Sequence, residues 1–214
     1  LEEALQFAGL KPGERAAPVT VVPIAVDTTQ LQPIKRKASS KNIVTLGTLH
    51  YPPNADGIRW FFTEVFPLVR QRIPEATLTI IGKNPPQDFV EFAIANPESI
   101  RLTGYVPELP PYFEQSALMV VPVRAGGGMR VRILEAFAYA MPVVTTTIGL
   151  EGIHAELERD VIVADTAADF AQRVIALLED PTLQEQLARN GRQLAEQKYD
   201  WQVVLAAMNP IYEE

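Results

Sequence analysis

The sequence predicts an α/β fold in which helices cover both faces of a parallel sheet. From residue 42 onward, short apolar runs alternate with amphipathic segments, which is typical of a doubly wound sheet. The short runs are apolar throughout rather than at every second residue, as expected for parallel strands buried on both faces. A chain of 214 residues, 47% of them hydrophobic, can also bury the core that such a sheet requires. We therefore predict a Rossmann-like, doubly wound fold.

The elements of this sheet can be placed between residues 42 and 163. The strand-like runs are 43–46, 78–81, 118–121, 142–145 and 161–163. After the first run, apolar residues recur with helical spacing from Ile58 to Val69, which predicts one helix with Asn54 as its N-cap. Shorter helices are predicted near Phe89 and over residues 109–116.

The last 50 residues are predicted to be helical. An apolar stripe over residues 170–178 predicts one helix. Thr182 and Glu185 then have the spacing of a capping box, which predicts that the next helix begins there. A final helix is predicted from about residue 200 to residue 212.

The first 40 residues differ from the rest of the chain. The apolar run 19–24 contains a proline, which predicts an edge strand, and the basic run 35–41 is expected to be a solvated linker. We expect residues 1–40 to form a linker or junction, partly disordered. A Rossmann-like domain is then expected over 41–199, with a C-terminal helix over 200–214.

Composition and charge exclude several classes of function. The chain has no cysteine and only two histidines, which excludes disulfide scaffolds, thiol nucleophiles and cysteine-ligated metals. A net charge of −7 argues against nucleic-acid binding. No apolar run approaches the roughly 18 residues that span a bilayer. Because Leu1 is followed by two glutamates, unlike a signal peptide, we expect a cytoplasmic fragment of a longer protein without a transmembrane segment.

The most unusual passage joins the run 118–121 to a predicted helix through three consecutive glycines, Gly126 to Gly128. Ligands of open α/β sheets bind outside the carboxyl ends of the strands. Glycines let the backbone approach a ligand closely, and the start of a helix favours an anion. Arg130 and Arg132 add positive charge, and Glu135 would accept hydrogen bonds from a ribose diol. The passage therefore favours a nucleotide site.

Other interpretations of these residues stay open. Arg132 and Glu135 are three residues apart, so a surface ion pair on a helix would also explain them. Arg130 and Arg132 lie about 200° apart around a regular helix, so both cannot face one ligand from helical positions. The turn 145–152 follows another predicted strand and is expected to line the same edge of the sheet. Backbone groups at Tyr105, after a further strand, are expected to hold a base.

Motifs of other enzyme classes are incomplete. Gly126 and Gly128 form G-x-G, but Val131 stands where the dinucleotide fingerprint has its third glycine. The chain contains no Gly-Lys-Ser or Gly-Lys-Thr of a P-loop and no G-x-S-x-G of a serine hydrolase.

Five short motifs occur in a recognisable order. They are Val22-Pro23-Ile24-Ala25-Val26-Asp27, Gly104-Tyr105-Val106 with Leu109 and Tyr112, Gly126 to Ala136, Pro142 to Thr146 with Gly149 to Gly152, and Tyr199-Asp200-Trp201. With these motifs nearly the whole chain resembles the C-terminal, donor-binding domain of group 1 retaining glycosyltransferases. The resemblance implies one half of a two-domain B-type fold.

The resemblance also implies a function. The enzyme would move a hexose-type sugar, with retention, from a nucleoside diphosphate sugar to an unknown acceptor. The expected donor-binding residues are Gly47, Thr48, Tyr105, Val106, Gly126, Gly127, Gly128, Met129, Arg130, Arg132 and Glu135. Glu135 matches the second glutamate of the family's E-x7-E motif, which holds the ribose hydroxyls. No metal and no other cofactor is implied.

The expected partner is a missing N-terminal domain, which would bind the acceptor, supply most catalytic residues and make any peripheral membrane contact. This chain departs from the family pattern at three positions. Gly127 replaces the first glutamate of E-x7-E, so contacts there with the sugar are expected from backbone amides. Thr48 and Asp56 occupy the places of two basic residues that grip the diphosphate, a role expected to pass to Arg130 or Arg132. The alternatives are a non-catalytic sugar- or nucleotide-binding module of the same fold, or a nucleotide-sugar epimerase.

Overall fold

The structure, a computed structural model, describes residues 21–37, 39–206 and 208. A six-stranded, parallel sheet forms its centre. The strands are β1 (Asn42–Leu46), β2 (Thr77–Ile81), β3 (Ile100–Gly104), β4 (Leu118–Val121), β5 (Val143–Thr145) and β6 (Ile162–Val163). Their order is β3-β2-β1-β4-β5-β6, so the chain leaves β1 in one direction and then returns to build outward in the other. This order is that of a doubly wound sheet and confirms the predicted fold class.

Helices connect the strands and follow the last one. They are α1 (Pro52–Trp60), α2 (Phe66–Arg72), α3 (Gln87–Ala95), α4 (Pro110–Glu114), α5 (Val131–Ala138), α6 (Ala167–Glu179), α7 (Pro181–Leu194) and α8 (Trp201–Ala206). Two π-helical turns, Phe61–Val65 and Ala195–Tyr199, join α1 to α2 and α7 to α8. In the part of the chain that the structure describes, no helix is long and apolar enough to cross a membrane.

The sheet separates two hydrophobic cores. Neighbouring residues of a strand point to opposite faces, so Ile43 belongs to one core and Val44 to the other. The first core is aromatic, with the rings of Trp60 and Phe170 meeting edge to face at 5.6 Å. The second contains Phe137 of α5, which is fully buried. Burial on both faces explains why the strands are apolar throughout.

The helix predicted from Asn54 to Val69 begins earlier and contains the π-helical turn Phe61–Val65 between its two α-helical parts. Pro52 occupies the first turn of α1, where its missing N–H costs nothing, so the helix begins two residues before Asn54. Asn54 is therefore not the N-cap. Pro67 cannot donate to the preceding turn, and the π-helical turn lies directly before it.

The predicted capping box at Thr182 is also displaced. Helix α7 begins at Pro181, and the N-cap is Asp180, whose carboxylate accepts from the backbone N–H groups of Thr182 (2.9 Å) and Leu183 (3.0 Å). With Pro181 at the first helical position, the N-cap lies two residues earlier than the Thr-Glu spacing suggests.

The predicted edge strand at 19–24 lies partly outside the described residues. Residues 21–25 form no strand, because only Val26 pairs with another segment, in an isolated bridge to Asp200. Residues 1–20 of the linker that is predicted to be partly disordered lie outside the described residues, and α8 is described only to Ala206. In this structure Trp201, Val203 and Leu205 of α8 are each 42–48% exposed.

The basic run 35–41 is not simply a solvated linker. The Arg36 side chain is 5% exposed and donates to the carbonyl of Ala117 (2.9 Å) and to Gln184 (3.1 Å). Lys41 donates to the carbonyl of Leu178, near the end of α6. Lys41 thereby binds a carbonyl in the last turn of α6, where carbonyls lack partners within the helix. Both basic side chains therefore hold this segment against the domain.

Candidate functional site

A cavity of about 590 Å³ opens at the carboxyl ends of β1, β2, β3 and β4. Strand order reverses at β1 and β4, and a crevice at this switch point is where open α/β sheets bind ligands. A second depression, of about 920 Å³, lies at the amino ends of the strands and is lined by both acidic and basic side chains. We identify the first cavity as the candidate site, because glycine-rich backbone lines it and the second has no such feature.

Three neighbouring strands end in the same way at this cavity. Each is closed by a glycine, and the residues that follow, Thr48, Lys83 and Tyr105, line the cavity. A Cβ atom built on Gly82 would lie 2.1 Å from the carbonyl oxygen of Gly47, so the ends of β1 and β2 approach too closely for a side chain. The glycines therefore bring three strand ends to one wall.

The segment 126–128, here called the glycine loop, forms the opposite wall. Gly126 and Gly128 have φ angles of 95° and 88°, which favour glycine, and Gly127 between them does not. Arg130 donates to the carbonyls of all three, at 2.8 Å for Gly126 and Gly127. Within the described residues, no backbone N–H from Gly126 to Arg132 donates to a protein acceptor. The loop therefore has its carbonyls bound and its amide donors available.

Arg132 connects the two walls. Its guanidinium donates to the carbonyl of Leu46 (2.9 Å) and to Oδ1 of Asn54 (2.6 Å). A Cβ on Gly47 would lie 2.6 Å from Nη1 of Arg132, so only glycine leaves room for this arginine. Burial, with a smaller contribution from neighbouring Arg130, lowers the pKa of Arg132 to about 10.

Glu135 lies one turn further along α5 and is half-buried. It does not line the cavity, and within the described part of the chain its carboxylate accepts no hydrogen bond and forms no ion pair with Arg132. The interpretation of these two residues as a surface ion pair is therefore wrong. Burial raises the pKa of Glu135, and the nearby charge of Arg132 only partly offsets this.

Asp56 does not face the cavity. Its carboxylate forms a bidentate ion pair with Arg124, at 3.0 and 2.9 Å, and the Arg124 guanidinium also lies 5.3 Å from the ring centroid of Trp60. Asp56 occupies the place of a basic residue in the family pattern, and its negative charge is paired with Arg124. Asp56 does not oppose an anion in the cavity.

The predicted donor-binding residues mostly converge. The cavity is lined by Gly47, Thr48, Tyr105, Val106, Gly126, Gly127, Met129, Arg130 and Arg132, whereas Gly128 and Glu135 lie just outside it. Arg130 and Arg132 share one cavity because Arg130 precedes α5 and is not in a helical position. The predicted turn 145–152 also lies beside the glycine loop, since a Cβ on Gly152 would be 2.7 Å from Cγ of Met129.

The sequence analysis missed Lys83, Asn54 and Tyr51, which also line the cavity. Lys83 could have been found, because it follows Gly82 at the end of a predicted strand just as Thr48 follows Gly47. Among the described residues, no group of three acidic or histidine side chains is placed to hold a metal ion.

Comparison with known proteins bears on this site. A family model described as "Glycosyl transferases group 1" matches residues 40–180. The chain is 25% identical over 173 residues to an uncharacterised 44.6 kDa protein in the cps region of Klebsiella pneumoniae, covering 78% of this chain and 45% of that protein. It is 26% identical over 214 residues to a glycogen synthase of Mycobacterium tuberculosis, covering 94% and 49% respectively. The chain thus spans about half the length of the curated relatives it matches.

Solved structures share the fold. Sucrose-phosphate synthase of Thermosynechococcus elongatus superposes with a TM-score of 0.74 at 19% identity, over 99% of this chain and 55% of that one. Anabaena HepE in complex with UDP-glucose gives 0.74 at 17% identity, over 99% and 62%. The C-terminal domain of a group 1 glycosyltransferase, LpcC of Francisella tularensis, gives 0.69 at 19% identity, over 82% of this chain and 99% of that one.

Proposed function

Because the chain belongs to the group 1 glycosyltransferases, we propose that it forms the donor-binding half of a retaining enzyme. Its substrate would be a nucleoside diphosphate sugar, from which the whole enzyme transfers the sugar to an acceptor. One observation supports this proposal most directly. The backbone N–H groups from Gly126 to Arg132, in the glycine loop and the start of α5, donate to no protein acceptor in the described structure. HepE, which has the same fold, has been solved with UDP-glucose.

The diphosphate would bind at the glycine loop. Successive N–H groups at the start of α5 form a concave anion site, and the helix dipole adds partial positive charge. Lys83 lies on the facing wall, and Arg130 and Arg132 also line the cavity. When the bond between sugar and diphosphate breaks, negative charge grows on the leaving diphosphate. Donors that are already oriented stabilise that charge without reorganising.

The nucleoside would extend along the strand ends. Glu135, whose oxygens accept no hydrogen bond in the described structure, would accept from the ribose hydroxyls. Backbone groups at Tyr105 and Val106 would hold the base. No metal is needed for this arrangement, and a cytoplasmic location stays a prediction.

The acceptor and most catalytic residues would belong to another domain of the same enzyme. Two features support this part of the proposal. The chain spans about half of its curated relatives. Val21, at 85% exposed, and the apolar side chains of α8 leave a surface that a second domain would cover.

The first test measures the melting temperature, Tm, of the chain with UDP, GDP, ADP and NAD and with several nucleotide sugars. A ligand present at about 100 times its Kd adds roughly 2.7 kcal/mol to the free energy of unfolding. For a domain of this size we expect Tm to rise by roughly 5–10 °C with one nucleoside diphosphate and not with NAD.

Two lysine variants provide the matched control. Lys83→Ala removes a cation from the cavity wall, whereas Lys35→Ala removes an exposed cation that does not line it. We expect the first to weaken diphosphate binding severalfold and the second to leave it unchanged. If no nucleotide raises Tm, the proposed donor site is contradicted. It is also contradicted if Lys83→Ala and Lys35→Ala change the diphosphate Kd equally.

A further inference from the structure

The turn after β5 lies close to the glycine loop and to Met129, which follows the loop. A Cβ atom built on Gly127 would lie 3.8 Å from Oε2 of Glu151. A Cβ atom built on Gly152 would lie 2.7 Å from Cγ of Met129, and Gly152 has a φ of 77°. The Glu151 carboxylate thus lies beside Gly127, a loop residue that has no side chain of its own.

The backbone of this turn is held from both sides. Thr146 donates its hydroxyl to the carbonyl of Val123, just after β4, and accepts from the N–H of Gly149 at 2.9 Å. Thr147 donates its N–H (2.8 Å) and hydroxyl (2.6 Å) to the carboxylate of Asp165, just after β6. The turn is therefore fixed to two strand ends, and the position of Glu151 is defined by the sheet.

The Glu151 carboxylate has no other task in the described structure. It accepts no hydrogen bond and forms no ion pair there, and its side chain is exposed. Arg130, the basic residue of the adjacent loop, donates instead to three loop carbonyls. The acceptor oxygens of Glu151 are therefore available to a ligand.

The chemistry of the two neighbouring groups determines which part of a ligand each can bind. Loop amides donate and attract an anion, whereas an ionised carboxylate only accepts and repels one. Glu151 therefore disfavours a diphosphate that extends from the amides toward it. It favours an uncharged part of a ligand that carries hydroxyl donors.

We propose that Glu151 accepts hydrogen bonds from the hydroxyl groups of the transferred sugar and selects neutral sugars over uronic acids. This inference rests on the proposed donor site and names its sugar-recognising side chain. It replaces the expectation that only backbone amides contact the sugar near Gly127. A uronic acid would bring a second carboxylate close to Glu151, and like charges at that distance repel.

The test separates the affinity for the sugar from the affinity for the diphosphate. By calorimetry, Kd is measured for the nucleoside diphosphate that the thermal panel selects, for its glucose, galactose and N-acetylglucosamine derivatives, and for its glucuronic acid derivative. The proteins are the wild type, Glu151→Gln and Glu151→Ala. Glu64→Gln serves as the control, because Glu64 is also an exposed glutamate but lies in the π-helical turn Phe61–Val65 and not in the turn beside Gly127.

For both Glu151 variants we expect the best neutral sugar nucleotide to bind roughly tenfold more weakly, because a charge-assisted hydrogen bond is lost. Binding of the bare diphosphate should be unchanged, and Glu151→Gln should bind the glucuronic acid derivative more tightly than the wild type does. If the variants bind the bare diphosphate more weakly by the same factor, Glu151 has a structural role and the inference is overturned. Unchanged neutral-sugar binding would also overturn it, while leaving the donor site intact. If no diphosphate binds the wild type, the proposed function fails first.

Discussion

At the scale of single residues, the site shows how one arginine can prepare a backbone to bind an anion. Arg130 binds the carbonyls of the glycine loop, and the loop amides have no protein acceptor in the described structure. Its neighbour Arg132 spans to β1 through Leu46 and Asn54. Both arginines were predicted from their type and position, but their bonds to backbone carbonyls were not. A carbonyl carries no side-chain identity, so the sequence does not display it as a partner.

Glu135 gives a prediction at the same scale. Since burial raises its pKa, its ionised form is less favourable in the folded chain than in the unfolded one. Glu135→Gln should therefore raise Tm at neutral pH. This gain should begin to fall as the pH drops through the raised folded pKa and should be absent below the unfolded pKa, where both states are protonated. If Glu135 holds the ribose, the same substitution should weaken diphosphate nucleotide binding about tenfold.

Thermal melts between pH 4 and pH 8 and calorimetry would measure both effects. Glu114→Gln, at an exposed glutamate that lines no described cavity, is the control and should change neither quantity. A loss of both stability and affinity in Glu135→Gln would mean that the carboxylate supports the fold instead.

At the scale of elements, the sequence predicted which segments are helices and strands better than where they begin. Continuous apolar runs identified the strands, which are buried on both faces, and hydrophobic periodicity identified the helices, which are buried on one. The starts of α1 and α7 were misplaced, since Pro52 and Pro181 each occupy the first turn and shift the cap. The segment after Val21 lacks the predicted strand, because strand formation requires a partner and the described residues offer only Asp200.

Asp200 gives the prediction for this scale. It accepts from the N–H (3.1 Å) and hydroxyl (2.6 Å) of Thr28 and from the N–H of Gln202 (2.9 Å), so it caps α8 and holds the segment around residue 28. Asp200→Ala should lower the free energy of unfolding by about 2 kcal/mol, measured by urea denaturation. Asp27→Ala, whose bonds to Thr29 and Gln30 are local, should cost less.

The contribution of Asp200 to the free energy of unfolding should decrease as the pH falls. Burial opposes its ionisation, but the hydrogen bonds from Thr28 and Gln202 outweigh this and lower its pKa below 3.8. Its stabilisation is therefore complete above the unfolded pKa and is lost as the pH falls through the folded one. Wild type and Asp200→Ala should converge in stability at the acid end of the titration. A constant difference would assign the effect to packing.

At the scale of the whole molecule, one sheet carries two separable properties. Its faces bear the two cores that stabilise the domain, and the carboxyl ends of its strands bear the candidate site. The doubly wound order makes both follow from one alternation of strands and helices, which is why fold class and site position could be predicted together. The side chains that meet at the site come from distant segments, and their contacts could not be predicted.

This separation can be tested with a core variant. Phe170 is fully buried against Trp60 and Phe61 in the first core, and it does not line the cavity. Phe170→Ala should lower the free energy of unfolding by about 3–5 kcal/mol. The diphosphate Kd, measured at low temperature where the variant stays folded, should remain that of the wild type. A matching loss of affinity would show that the core and the site are coupled.

The bonds from Arg130 to the glycine loop also bear on the kinetics of ligand capture. A flexible glycine segment that ordered only on binding would lose its conformational entropy at that step and weaken the complex. Here the loop is ordered when the domain folds, so the entropic cost falls on folding and not on association. The association rate should then be limited by diffusional encounter with the open cavity rather than by rearrangement of the loop.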